Sequence, residues 1–140
     1  MVTLQFSCSR SIAASAIRFG TWSWCSHVDL VLPDGSLLGA IPGGVQIHRL
    51  EEPARVERFR VAADEGAVVA AMQSQLGRPY DWDGILGWTF RRDWQEEDSW
   101  FCSELVAWAF QQAGNPLLRA ECVHRITPRD LLLSPLLQSA

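Results

Sequence analysis

From His27 to Leu32 the chain alternates with a period of two. His27, Asp29 and Val31 take one side, and Val28, Leu30 and Leu32 the other. That spacing predicts a half-buried strand. Pro33-Asp34-Gly35 follows as a turn, in which Pro presets φ and Gly supplies a positive φ. Ser36 to Ala40 then returns as the second arm of a hairpin, and Pro42-Gly43-Gly44 breaks it. Val45 to Leu50 and Arg55 to Val61 are two further strands. These four strands, joined by short turns, predict an antiparallel sheet. Val2 to Phe6 alternates more weakly and is one more strand candidate.

Helical spacing appears in three places. Ile12, Ala13, Ala16 and Ile17 define a short helix within Ser9 to Phe19, ended by Gly20 and Thr21. Asp64 caps a second helix running to about Leu76, where Gly77 stops it and Pro79 follows. Leu105, Val106, Ala109, Phe110 and Ala113 recur at helical spacing before Gly114, which places Cys102 in the first turn of a buried amphipathic helix capped by Asp98 or Ser99. Residues 80–100 form a loop-and-short-helix segment. Thr127 starts a last short helix through Leu133. The expected class is α+β, with an antiparallel sheet of four to six strands packed against the Cys102 helix and further helices. No internal repeat or linker interrupts residues 1–140, so one domain is expected.

Composition narrows the function classes. The chain has 140 residues, 48% hydrophobic and 20% charged, enough for one core. A net charge of -4 argues against a general nucleic-acid binder, which needs a basic face. No apolar run approaches the ~18 residues of a transmembrane helix, and no basic start with a long apolar core marks a secretory signal. A cytoplasmic location is expected, with phage or prophage association open. The four cysteines, Cys8, Cys25, Cys102 and Cys122, contain no CxxC pair. A disulfide framework is not expected. A zinc site would have to combine something like Cys25 and His27 with two distant ligands, outside the familiar spacings, so neither metal nor cofactor is expected.

A cysteine at a helix start meets unpaired N–H groups and the positive end of the helix dipole, which favour a thiolate. It still needs a base. His27 is the candidate, and Asp29, two residues on, faces the same side of the strand. If the His face of the sheet meets the tip of the Cys102 helix, the thiolate can attack a carbonyl carbon beside the Cys102 N–H, and the imidazolium can protonate the leaving group. Seven tryptophans are many for this length. Trp22 and Trp24 precede His27, while Trp82, Trp88, Trp94 and Trp100 precede Cys102. They suggest either an aromatic-walled cleft, with Trp24, Trp82 and Trp100 as substrate contacts, or simply large core residues. Trp108, inside the Cys helix, is expected to pack. Glu104 suits the helix dipole and could instead bind a substrate ammonium group. His48 and His124 are expected at the surface.

Leu76-Gly77-Arg78-Pro79-Tyr80, Phe101-Cys102-Ser103-Glu104-Leu105-Val106 and Ala113-Gly114 together resemble the signature of the NlpC-type papain-like cysteine hydrolases. Ser26-His27-Val28, Asp34-Gly35 and Gly43-Gly44-Val45 resemble the strands around that family's catalytic histidine. Here the His block precedes the Cys block, the order of the circularly permuted, YiiX-type branch. The resemblance implies a thiol hydrolase with Cys102 as nucleophile, His27 as base and Tyr80 at the active site. It puts the third member of the triad at Gly39, which has no side chain, so Asp29, a backbone carbonyl or a water would have to hold the ring. The expected activity is cleavage of amide bonds, as a peptidase or amidase, on a peptide, cell-wall fragment or acyl-containing substrate. Acyl transfer or lipid-ester or thioester hydrolysis on the same pair, or an inactive binding module, are the alternatives.

Overall fold

The computed structural model describes residues 1–50, 53, 55–81, 99–119 and 126–140. Trp82, Trp88, Trp94, Asp98, Cys122 and His124, and nearly all of the expected 80–100 loop segment, lie outside the described residues.

In chain order the elements are β1 (Val2–Cys8), α1 (Ile12–Thr21), β2 (His27–Val31), β3 (Leu37–Ile41), β4 (Gly44–His48), β5 (Arg55–Val61), α2 (Glu65–Gln73), α3 (Cys102–Gln112), α4 (Pro128–Leu132) and β6 (Gln138–Ser139). Among the described residues the six strands form one antiparallel sheet in the order β4-β3-β2-β1-β5-β6. The fold is therefore α+β, as the patterns predict. Two features lay beyond the expectation. The N-terminal strand sits at the centre of the sheet, between β2 and β5, and a two-residue C-terminal strand, absent from the expected set, adds an edge.

Alternation sorts the strands into two faces. Val2, Leu4 and Phe6 of β1, Val28 and Leu30 of β2, and Leu38 and Ala40 of β3 are buried in one core with Leu105, Val106, Ala109 and Phe110 of α3. The register aligns Phe6 with Val28 and Leu4 with Leu30, which keeps this apolar set on one side. The other side carries a polar row: Ser7 opposite His27, and Gln5 opposite Asp29.

The turns follow their sequence logic. Gly35 takes a φ of 82°, the Leu32 N–H donates to the Ser36 carbonyl at 2.8 Å, and the Asp34 carboxylate accepts from both the N–H and the hydroxyl of Ser36. Asp64 caps α2 by accepting from the Ala67 N–H, and Thr127 and Asp130 form a reciprocal capping box on α4. α1 runs through Gly20 to Thr21, whose hydroxyl bonds the Ile17 carbonyl at 2.8 Å, and the helix ends at Trp22 in a left-handed conformation. α2 stops at Gln73, short of Leu76.

Candidate functional site

β2 and β4 place the polar side chains. His27 and Asp29 are two residues apart on β2, so the pleat points them to the same side. The Asp29 Oδ1 lies 2.8 Å from the His27 Nε2. It also lies 3.1 Å from the His48 Nε2, at the end of β4. Asp29 is fully buried, while the His27 and His48 side chains keep 17% and 12% of their surface.

His48 corrects the expectation of a surface residue. It is a half-buried partner of Asp29. The two-residue Pro42-Gly43 turn pairs Ile41 with Gly44, and so Leu37 with His48. The β2–β3 register pairs Val31 with Leu37 and Leu30 with Leu38. Followed across both hairpins, the two registers bring His48 to the side of the sheet that holds Asp29. The turn length was the signal in the sequence that could have revealed it.

Gly39 explains how a carboxylate from β2 can sit here. A Cβ built on Gly39 would lie 2.1 Å from the Asp29 Oδ1. Asp29 therefore fills the space that a side chain at position 39 would take. The missing side chain and the extra carboxylate are one arrangement.

The electrostatics follow from these contacts. Burial by itself would push the Asp29 carboxyl up, but the His27 charge and the hydrogen bonds from both imidazoles hold it down at about 2. Since Asp29 is an ionised acceptor, both Nε2 atoms must be the donors, which fixes the tautomers. Burial likewise works against the His27 imidazolium. The Asp29 carboxylate outweighs it, with help from negative charge at Cys102 and a hydrogen bond to that side chain, and His27 is raised well above its ordinary value. With Nε2 on Asp29, Nδ1 is the nitrogen left for Cys102.

Cys102 lies in the first turn of α3, as expected, and is its first residue; the N-cap is Phe101, with no side-chain cap, rather than Ser99. The body of the helix shares its core with Val28, Leu30, Leu38 and Ala40, the residues that alternate with His27 and Asp29. The first residue of the helix, Cys102, is hydrogen-bonded to the imidazole. Reactive cysteines commonly sit in partly exposed surroundings, whereas Cys102 is fully buried. The hydroxyl of Ser103 donates to the Ile126 carbonyl at 2.5 Å and pins the start of the helix to the segment before α4.

Tyr80 is set beside Cys102 by backbone bonds. The Asp81 N–H donates to the Trp100 carbonyl at 3.0 Å and the Trp100 N–H to the Pro79 carbonyl at 2.9 Å. The Val45 N–H donates to the Arg78 carbonyl at 2.9 Å, where Gly44 (φ 114°) allows an approach that a Cβ would block at 2.6 Å. Burial raises the Tyr80 phenol far above its ordinary value, and the negative charges of Cys102, Asp81 and Glu104 add to this. Tyr80 is thus an O–H donor at neutral pH.

A cleft of about 340 Å³ opens on this group, lined by His27, His48 and Tyr80 with Ser7, Ser26 and Ile41 among others. Neither Trp24, Trp100 nor Glu104 lines it. Trp24 is half-buried beneath the Arg55 guanidinium, 4.1 Å from its ring. The indole N–H of Trp100 donates to Gln75 at 3.0 Å, and its ring lies 5.2 Å from that of Trp108. Glu104 is buried in the first turn of α3. Cys25 is buried near Cys102. Burial, partly offset by a hydrogen bond with Ser23, pushes its thiol up to about 11. Cys8, Cys25 and Cys102 are all free thiols.

The fold defines the class before any relative does: a mixed α+β domain with the histidine strands ahead of the cysteine helix. No protein-family model matches the chain, and no curated protein matches it. Among solved structures it is similar to YiiX of Escherichia coli O157:H7, described there as a metalloprotein, with a TM-score of 0.73 and 21% identity. The match covers 99% of this chain and 94% of that one. At that identity the likeness is one of fold, and it is the YiiX-type fold that the motif order implies. No helix among the described residues is long and apolar enough to cross a membrane.

Proposed function

We propose that the protein is a cysteine hydrolase that cleaves amide bonds. The observation that carries this is the position of one imidazole: His27 is held by Asp29 through Nε2 and has Cys102 as its other partner. Asp29 fixes the tautomer and orientation of the ring and stabilises its charged form. His27 takes the proton from the Cys102 sulfur. The thiolate adds to the substrate carbonyl carbon, and the backbone N–H of Cys102 at the helix start faces the oxyanion that forms. The C–N bond breaks as the His27 imidazolium protonates the leaving nitrogen. Water then cleaves the thioester with His27 as base, which releases the acid and regenerates the thiol. Tyr80 contributes a protonated phenol beside the sulfur. Because Cys102 is buried, the substrate must enter from the cleft at His27 and Tyr80 and displace what covers the sulfur.

The test is selective alkylation. Cys8, Cys25 and Cys102 are all buried, so exposure gives none of them an advantage. Iodoacetamide should label Cys102 before Cys8, Cys25 and Cys122, and His27→Ala should remove that preference. Peptide amides should be turned over, and fatty-acyl thioesters should not. Equal labelling of all four cysteines, or turnover that survives Cys102→Ser, sinks the proposal.

A further inference from the structure

One oxygen of Asp29 is left over by this relay. Oδ1 accepts from both histidines, whereas Oδ2 is buried with no hydrogen-bond partner among the described residues. A buried carboxylate oxygen with no hydrogen-bond partner is costly, and such atoms commonly mark a place for a water or an ion. His27, Asp29 and His48 offer three ligand atoms within 4.8 Å of one another. The two Nε2–Oδ1 separations, 2.8 and 3.1 Å, are somewhat shorter than the ~3.4 Å between tetrahedral ligand atoms with bonds of ~2.1 Å, so the side chains must open slightly to admit an ion. The three residues come from two strands of one sheet, so the backbone pre-positions them. The cleft beside both imidazoles leaves room for a further ligand from solvent. Two imidazoles and one carboxylate suit a borderline cation such as Zn²⁺ or Co²⁺ better than the oxygen-seeking Mg²⁺ and Ca²⁺.

We propose that His27, Asp29 and His48 bind one divalent transition-metal ion of the zinc class, and that this ion and the hydrogen bond to Asp29 compete for the same nitrogen of His27. Cys102 is not a ligand, but the site shares His27 and Asp29 with the thiol chemistry. Its consequence for that chemistry is inhibitory. An imidazole ligated through Nε2 keeps its proton on Nδ1, because losing it would leave an imidazolate. His27 can then no longer cycle a proton with Cys102.

The experiment is a Co²⁺ titration of chelator-treated protein, read by visible absorption and calorimetry. One ion per chain is expected, and Cys102→Ser should bind it equally well. His48→Gln keeps an amide donor for Asp29 but removes the imidazole, and should weaken binding roughly 100-fold. His48→Ala should do the same, and unchanged thermal melting of the metal-free variants will separate ligand loss from misfolding. In proton NMR the downfield ring N–H signals bonded to Asp29 should vanish with one equivalent of Zn²⁺. Failure of the wild-type protein to bind Co²⁺, or full-strength binding by His48→Gln, overturns the site. Ring N–H signals that persist at saturating Zn²⁺ overturn the competition.

Discussion

The two faces of the central sheet are made by the same strands and have opposite chemistry. On one face Val28, Leu30, Leu38 and Ala40 are sealed in the core with α3. On the other, His27, Asp29 and His48 share one carboxylate oxygen beside a cleft. A single strand register serves both. It packs the apolar residues and sets the distance between the polar ones. The apolar face should therefore govern stability, and the polar face should govern chemistry at little cost to folding.

Several substitutions can break that division. The largest effect belongs to His27→Ala, which should lower amide turnover roughly 10⁴-fold while the unfolding midpoint changes little. If turnover persists, the polar face has no catalytic role. Leu30→Ala, on the opposite side of the same strand, should cost about 2–5 kcal/mol in chemical denaturation. The surviving folded fraction should still label at Cys102. Gly39→Ala comes next. Its Cβ would stand 2.1 Å from the Asp29 Oδ1, so the carboxylate must move. A displacement of that size should lower turnover about 10²-fold, with KM little changed. Full activity in this variant would mean that Asp29 does not orient the ring.

The pH dependence of stability is a smaller effect with a definite sign. Asp29 is depressed from 3.8 to about 2 in the folded protein. Its contribution, about 2 kcal/mol, is present above 3.8 and should be lost as pH falls toward about 2. His27 is raised above 6.5, so its contribution is fully present below that pH and is lost as pH rises through the higher folded value. Denaturation curves across pH 2–10 for wild type and Asp29→Asn should differ in both limbs. The smallest change is expected for Trp100→Phe, which removes the bond to Gln75 and should cost about 1 kcal/mol with no shift in substrate preference. A marked change in preference would return the tryptophans to the substrate side.

Backbone periods alone told much of this. The period of two in His27–Leu32 placed His27 and Asp29 together, and the helical period after Cys102 put the sulfur at a helix start. Both facts are local, because they depend on dihedrals and nearest neighbours. The tertiary structure decided the rest. His48 joined the group through hydrogen bonding across 19 residues, β1 entered the middle of the sheet, and the sulfur became buried. The empty position at Gly39, which in the sequence looked like a missing residue, became the space for Asp29. Such outcomes depend on which strands pair and in what register. Those are contacts between distant segments, and no pattern within either segment alone contains them.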